Sequence, residues 1–250
     1  MIRISPAVKH LFVKEFTSYF KTPLGHVFLV IFLFGIGYLT FEPGRGSFFY
    51  IREASLGPFF RHIPWMFLFL IPAVSMKLWA EERKTGTVEL LLTMPVSVAE
   101  AVIAKFLASW AFIGVALLGT FPMVVTVIYL GSPDLGVAFL GYVASFLMAG
   151  TLLAVGGFFS ALTKNQVVSF ILTVVAALFL LMAGSPPILE FVSTVFPKYF
   201  VDLLESLSVL GHFDSIERGV FALSNLWFFS VMIVFWLYGS IVLLNENKAD

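Results

Sequence analysis

Six stretches of this chain are apolar for about the thickness of a bilayer, and they are continuous rather than alternating. A spanning helix needs roughly 20 predominantly apolar residues, and residues 24–41, 63–80, 103–129, 135–162, 166–183 and 226–244 meet that need or come close to it. Only helices and closed barrels satisfy the backbone in lipid, and a barrel strand would alternate apolar with polar residues. The expected fold is therefore an all-α polytopic membrane protein with six transmembrane helices. Composition agrees: 60% of the 250 residues are hydrophobic, 12% are charged, and the mean hydropathy is +0.99. A soluble domain carries about twice that charged fraction, so a cytosolic globular enzyme, a secreted disulfide scaffold and a disordered regulator are excluded.

Lysine and arginine retention on the cytoplasmic side sets the orientation. The N-terminus, the second-to-third and fourth-to-fifth connections and the C-terminus, with the span ends beside them, hold Arg3, Lys9, Lys14, Lys21, Lys77, Arg83, Lys84, Lys105, Lys164 and Lys248. The opposite side holds Arg45, Arg52, Arg61, Lys198 and Arg218. Both termini are thus expected in the cytoplasm. No cleavable signal peptide is visible, so the first span is expected to stay in the membrane.

Ahead of that span, residues 6–22 place Val8, Leu11, Phe12, Phe16, Tyr19 and Phe20 on one helical stripe, with Lys9, Lys14 and Lys21 off it. A helix of that kind lies in the cytoplasmic interface, with Phe12, Phe16, Tyr19 and Phe20 toward lipid, or packs on another part of the protein. Residues 185–224 are too long for a turn; within them 188–195 and 200–210 read as short helices reaching the outer leaflet. The whole of 1–250 reads as one membrane domain with no soluble catalytic domain attached.

Little else carries chemistry. The formal charge is zero, with 15 Lys plus Arg against 15 Asp plus Glu, so no nucleic-acid partner is expected. There is no cysteine, and His10, His26, His62 and His212 lack metal-ligand spacing. No phosphate-binding G-x-x-x-x-G-K-[ST] loop or G-x-S-x-G elbow occurs. Lys77 and Lys105 sit toward span ends, where a lysine is expected to snorkel to the interface. Gly150 with Ala154, and Ala104 with Ala108, have helix-packing spacing; packing within the chain is favoured over a dimer seam.

The informative segment is 81–97. Glu81, Glu82, Arg83 and Lys84 cannot lie in lipid, so the second span ends there. Gly86 permits a turn, Thr87 can cap a new helix, and Glu89 suits its first turn. Val88, Leu91 and Leu92 give that helix one apolar face, and Pro95 ends it. Such a helix fits a groove of a soluble partner, or rests its apolar face on the membrane.

The pattern Glu82-x-x-x-Gly86-Thr87-x-Glu89-x-Leu91-Leu92-x-x-Pro95, between a second and a third span, resembles the signature loop of ABC-2 type transporter permeases. Ile71-Pro72-Ala73-Val74-Ser75-Met76, and Lys14-Glu15-Phe16 with Tyr19-Phe20 and Pro23, resemble the gliding-motility-type branch of that family. The resemblance implies the permease subunit of an ATP-driven exporter in the inner membrane, not itself an enzyme. It implies a separate ABC ATPase that binds ATP and magnesium, with no cofactor in this chain. It further implies a second permease half, self or related, and, for the branch, a membrane protein with a large external domain. Residues 87–94 would be the coupling helix seated on the ATPase, with Glu82 and Arg83 as candidate contacts. Two other readings remain: a membrane anchor doing mechanical work on the cell envelope without solute transport, and a secondary carrier needing no ATPase.

Overall fold

A computed structural model describes residues 6–42, 48–51, 54–87 and 96–246. Among the described residues every regular element is helical, and thirteen helices run in order. They are α1 (Pro6–Lys21), α2 (Pro23–Phe41), α3 (Phe48–Ile51), α4 (Gly57–Ser75), α5 (Ala80–Thr85), α6 (Val98–Leu118) and α7 (Phe121–Leu130), followed by α8 (Leu135–Leu162), α9 (Gln166–Met182), α10 (Pro186–Val195), α11 (Lys198–Ser206), α12 (Val209–Glu217) and α13 (Leu223–Glu246). By length and composition, four helical stretches can cross a membrane: Gly57–Thr85, Val98–Leu130, Leu135–Leu162 and Leu223–Glu246. The number rises to six if two bent pairs count as one span each: α1 with α2, at 66°, and α9 with α10, at 84°.

The core is built around α8. Asp134 starts it by accepting the Gly136 and Val137 amides, satisfying two of the donors a helix N-terminus leaves open. Its small residues, including Ala144, Ala149 and Ala154, are fully buried, and α4, α6, α9, α12 and α13 all pack on it. Close approach is the reason. A Cβ on Gly150 would lie 2.8 Å from the Trp110 indole of α6, so this position keeps that ring against the α8 backbone. Trp110 then donates to the Phe146 carbonyl at 2.8 Å and stacks on the Phe146 ring. Ala104 and Ala108 are likewise buried inside the chain. Both small-residue pairs serve internal packing.

Two local features depart from the continuous runs of the sequence. The third apolar run is interrupted at Gly119 and Thr120, where the Thr120 hydroxyl donates to the Leu117 carbonyl and meets the Tyr142 hydroxyl at 2.8 Å. A hydroxyl bonding back into the preceding turn competes with helix propagation. The segment at 185–224 forms three short helices rather than the two expected at 188–195 and 200–210. Ser208 divides the second, because its hydroxyl accepts the Gly211 amide and begins α12. Helices α10 and α11 bury no residue, whereas α12 buries Val209, Phe213 and Ile216.

Candidate functional site

The turn between α4 and α5 meets α1, α6 and α8 at one end of the bundle, and Lys105 is at its centre. The Lys105 side chain is 3% exposed. Its Nζ donates to Glu82 Oε1 at 2.6 Å and to the Leu78 carbonyl at 3.0 Å, with Glu15 Oε1 at 3.6 Å. The same ammonium lies 4.9 Å from the centre of the Trp79 ring, a favourable cation–π placement. One buried cation therefore ties α1, α5 and α6 together. This corrects the expectation that Lys105 snorkels: a lysine that finds two carboxylates and a carbonyl inside the protein has its charge compensated there.

From Lys105 the network continues along α6 to α1. Ser109 donates to the Lys105 carbonyl at 2.8 Å, which leaves its oxygen to accept from the Tyr19 hydroxyl at 2.7 Å. The Tyr19 ring stacks on Phe112, with centroids 4.7 Å apart. Phe16 packs against the core, and Phe20 meets Phe112 edge-on while remaining 38% exposed. Phe12 stacks on Phe16. The aromatic stripe of α1 is thus shared between α6 and the outside.

Helix α8 closes the other side. The Ser160 hydroxyl accepts the Trp79 and Ala80 amides at 3.0 and 3.1 Å and donates to the Met76 carbonyl. It supplies to the start of α5 the cap that Trp79, at the N-cap position, does not. Arg83 donates to the Ala161 carbonyl. Glu82 Oε2 is buried and has no hydrogen-bond partner among the described residues. Glu82 and Arg83 thus make contacts inside the chain.

Beyond this base the chain turns outward. Glu81, Lys84, Thr85, Gly86 and Thr87 are exposed. Gly86 has φ of +74°, a left-handed conformation that costs an L side chain roughly 1 to 2 kcal/mol. Thr87 directs its hydroxyl back to Thr85 Oγ1 at 2.9 Å. Residues 88–95, with Glu89, Leu91, Leu92 and Pro95, lie outside the described residues. After them the Ser97 hydroxyl accepts the Glu100 amide while Glu100 accepts the Ser97 amide, a reciprocal cap that starts α6. The loop is therefore held by fixed geometry at both ends.

The contacts around Lys105 leave little trace in the sequence. Lys105 and Glu15 were visible as charges near apolar segments, and Tyr19 as part of a stripe, but nothing linked them. Ser160 gave no signal. Among the described residues no group of three or more His, Asp or Glu could hold a metal ion. His62 instead meets the Pro58 carbonyl at 2.6 Å, and His212 meets Asn225 Oδ1 at 2.8 Å.

The model of one protein family, described as ABC-2 family transporter protein, matches residues 10–244. No curated protein matches the chain.

Proposed function

The chain belongs to the ABC-2 transporter family, and from that premise we propose that it is the permease half of an ATP-driven exporter, worked through the loop at 81–97. Membership makes it a multi-pass permease subunit of an ABC transporter. The proposal adds that both termini and this loop face the cytoplasm of an inner membrane. A separate ATPase binds the helix at 87–94 through Leu91 and Leu92, and two permease halves, identical or related, pair across the pathway. The gliding-motility-type branch, with a partner bearing a large external domain, belongs to the same proposal.

The observation that carries it is the Lys105 centre. A loop that receives force must be anchored to the helices that move, and this one is anchored on three sides. Glu82 holds Lys105 of α6, Lys105 faces Glu15 of α1, and Ser160 and Arg83 join the base to α8. In the proposed cycle, closure of the ATPase displaces the segment after Gly86. The ion network passes the displacement to α6 and α1. Nucleotide shifts such an equilibrium only through contacts that differ between two states, and a buried ion cluster favours discrete arrangements over continuous deformation because breaking one partner is costly.

A second reading, an anchor that works mechanically on the envelope, draws support from the other end of the molecule. Phe191, Val195, Phe196, Tyr199, Phe200 and Leu203 of the α10–α11 region are all exposed. The test that separates function from mere resemblance is a mild-detergent pull-down of the intact chain beside a Leu91→Asp, Leu92→Asp variant. A Walker-motif ATPase that accompanies the first and is lost from the second supports the proposal. Absence of any ATPase from both preparations overturns it.

A further inference from the structure

At the far end of α4 from Lys105, α4 and α12 enclose a small pocket of 280 Å³. Its lining follows one register on both helices. Gly57, Arg61, Pro64 and Trp65 come from α4, Leu210, Asp214 and Glu217 from α12, and Arg218 from the cap at its end. Each set is spaced i, i+4, i+7, i+8, the spacing of a single helical face. The pocket is therefore a groove between two facing stripes, opened by the missing side chain of Gly57, where a Cβ would sit 3.8 Å from Glu217 Oε1.

The charges in this groove are balanced but not joined. Among the described residues the ion pairs are those of Lys105, so neither Arg61 nor Arg218 lies within 4.0 Å of the Asp214 or Glu217 carboxylate. Both carboxylates are half-buried, and burial pushes both up from their ordinary range. Two acids and two arginines that face one another without a direct ion pair give no net attraction for a simple anion or a simple cation. A ligand carrying both signs gains from both. An ammonium supplies up to three donors for the carboxylates, and a phosphate accepts from the guanidinium forks.

Position narrows the chemistry further. Helix α4 contains 19 residues, roughly 28 Å at 1.5 Å per residue, which is about the thickness of the hydrocarbon core. The groove thus lies at headgroup depth on the side of the membrane opposite the Lys105 centre. Trp65, which is 42% exposed, and Leu210 give it an apolar flank. An amphipathic aromatic at that level is suited to the boundary between headgroup and chain.

We propose that the groove between Arg61 and Trp65 of α4 and Asp214 and Glu217 of α12, with Arg218 at its end, binds a zwitterionic phosphoethanolamine group. The ammonium sits between Asp214 and Glu217, and the phosphate faces Arg61 and Arg218. The same chemistry is offered by a phosphatidylethanolamine headgroup and by free phosphoethanolamine. The inference does not depend on ATP coupling, and its test does not involve an ATPase.

The full chain is placed in nanodiscs of equal phosphatidylethanolamine and phosphatidylglycerol, released, and the retained lipid is read by native mass spectrometry. The expected result is about tenfold enrichment of phosphatidylethanolamine, lost when phosphatidylcholine, which has no N–H donor, replaces it. The wild-type chain alone supplies that comparison. A D214N/E217Q variant with unchanged helix content brings the ratio near one. Displacement of the bound lipid by millimolar phosphoethanolamine assigns recognition to the free group, and retention against it assigns recognition to the lipid. Equal retention of the two lipids by the wild-type chain, or enrichment unchanged in D214N/E217Q, overturns the proposal.

Discussion

Lys105 Nζ lies 2.6 Å from Glu82 Oε1, although the two residues are 23 positions apart and on different helices. Between them lie the left-handed turn at Gly86 and the Ser97 cap that starts α6. The pair joins α5 to α6 on either side of that connection. Any movement of α5 relative to α6 must strain or rearrange this contact, which makes it, in the proposed cycle, the point at which a displacement of the loop enters the membrane domain.

Replacing Lys105 with Met strands the Glu82 and Glu15 carboxylates in a largely buried site. A loss of about 2 kcal/mol is expected, below the range for fully buried pairs because both acids keep some exposure. Adding Glu82→Met to that variant restores part of the loss. Thermal unfolding of the four members of the cycle in one detergent checks this; strictly additive effects would show that the two side chains do not interact.

Ser160→Ala removes the acceptor of two buried amides, those of Trp79 and Ala80. Leaving buried donors unpaired costs about 1 to 3 kcal/mol. The melting temperature should therefore fall, and hydrogen exchange should accelerate at 79–80 while the α8 amides keep their protection.

Gly86→Val forces a β-branched residue into a left-handed conformation, at a cost of roughly 1 to 2 kcal/mol. Gly86→Asn, which tolerates that region, should be milder. Because Gly86 is exposed and nothing lies within 4 Å of a Cβ there, the effect is conformational and not steric. Coupled ATPase turnover of the complex, ranked glycine above asparagine above valine, is the expected order. Equal turnover in all three would remove the turn from the mechanism.

Acidity should act at the other end of the bundle. Burial raises Asp214 and Glu217 above their ordinary values of 3.8 and 4.5, against the pull of Arg218 and Arg61. The folded state then holds these protons more tightly than the unfolded chain, so their contribution favours folding at low pH. It is lost as pH rises from those ordinary values through the raised ones. The melting temperature of wild type minus that of Asp214→Asn/Glu217→Gln should fall across this window. A difference independent of pH would show that neither carboxylate is perturbed.

The all-helical fold was legible because its signal is long and redundant: an apolar run such as that around Ala149 and Leu152 has no other stable form in lipid. The end of the second apolar run was legible in the charges from Glu81 to Lys84, of which Glu81 and Lys84 are exposed. What escaped notice depends on contacts between distant residues. Tyr19 meets Ser109 across 90 positions, and Ser160 meets Trp79 across 81. Neither spacing leaves a periodic trace. A lysine near the end of an apolar run looks the same whether it snorkels or, as Lys105 does, turns inward to two carboxylates. The break at Thr120 has one local sign, Pro122 in the first turn of α7, set among residues that are equally apolar on both sides.

The central claim is that the Glu82–Lys105 contact carries the ATPase stroke into the membrane domain. Glu82→Gln tests it most directly, because the amide keeps the shape and an acceptor for Lys105 while removing the charge. In complexes purified with the ATPase at unchanged stoichiometry, the account predicts that turnover, relative to the isolated ATPase, falls about tenfold toward the uncoupled level, the equivalent of about 1.4 kcal/mol. Wild-type turnover in a stoichiometric Glu82→Gln complex would contradict it.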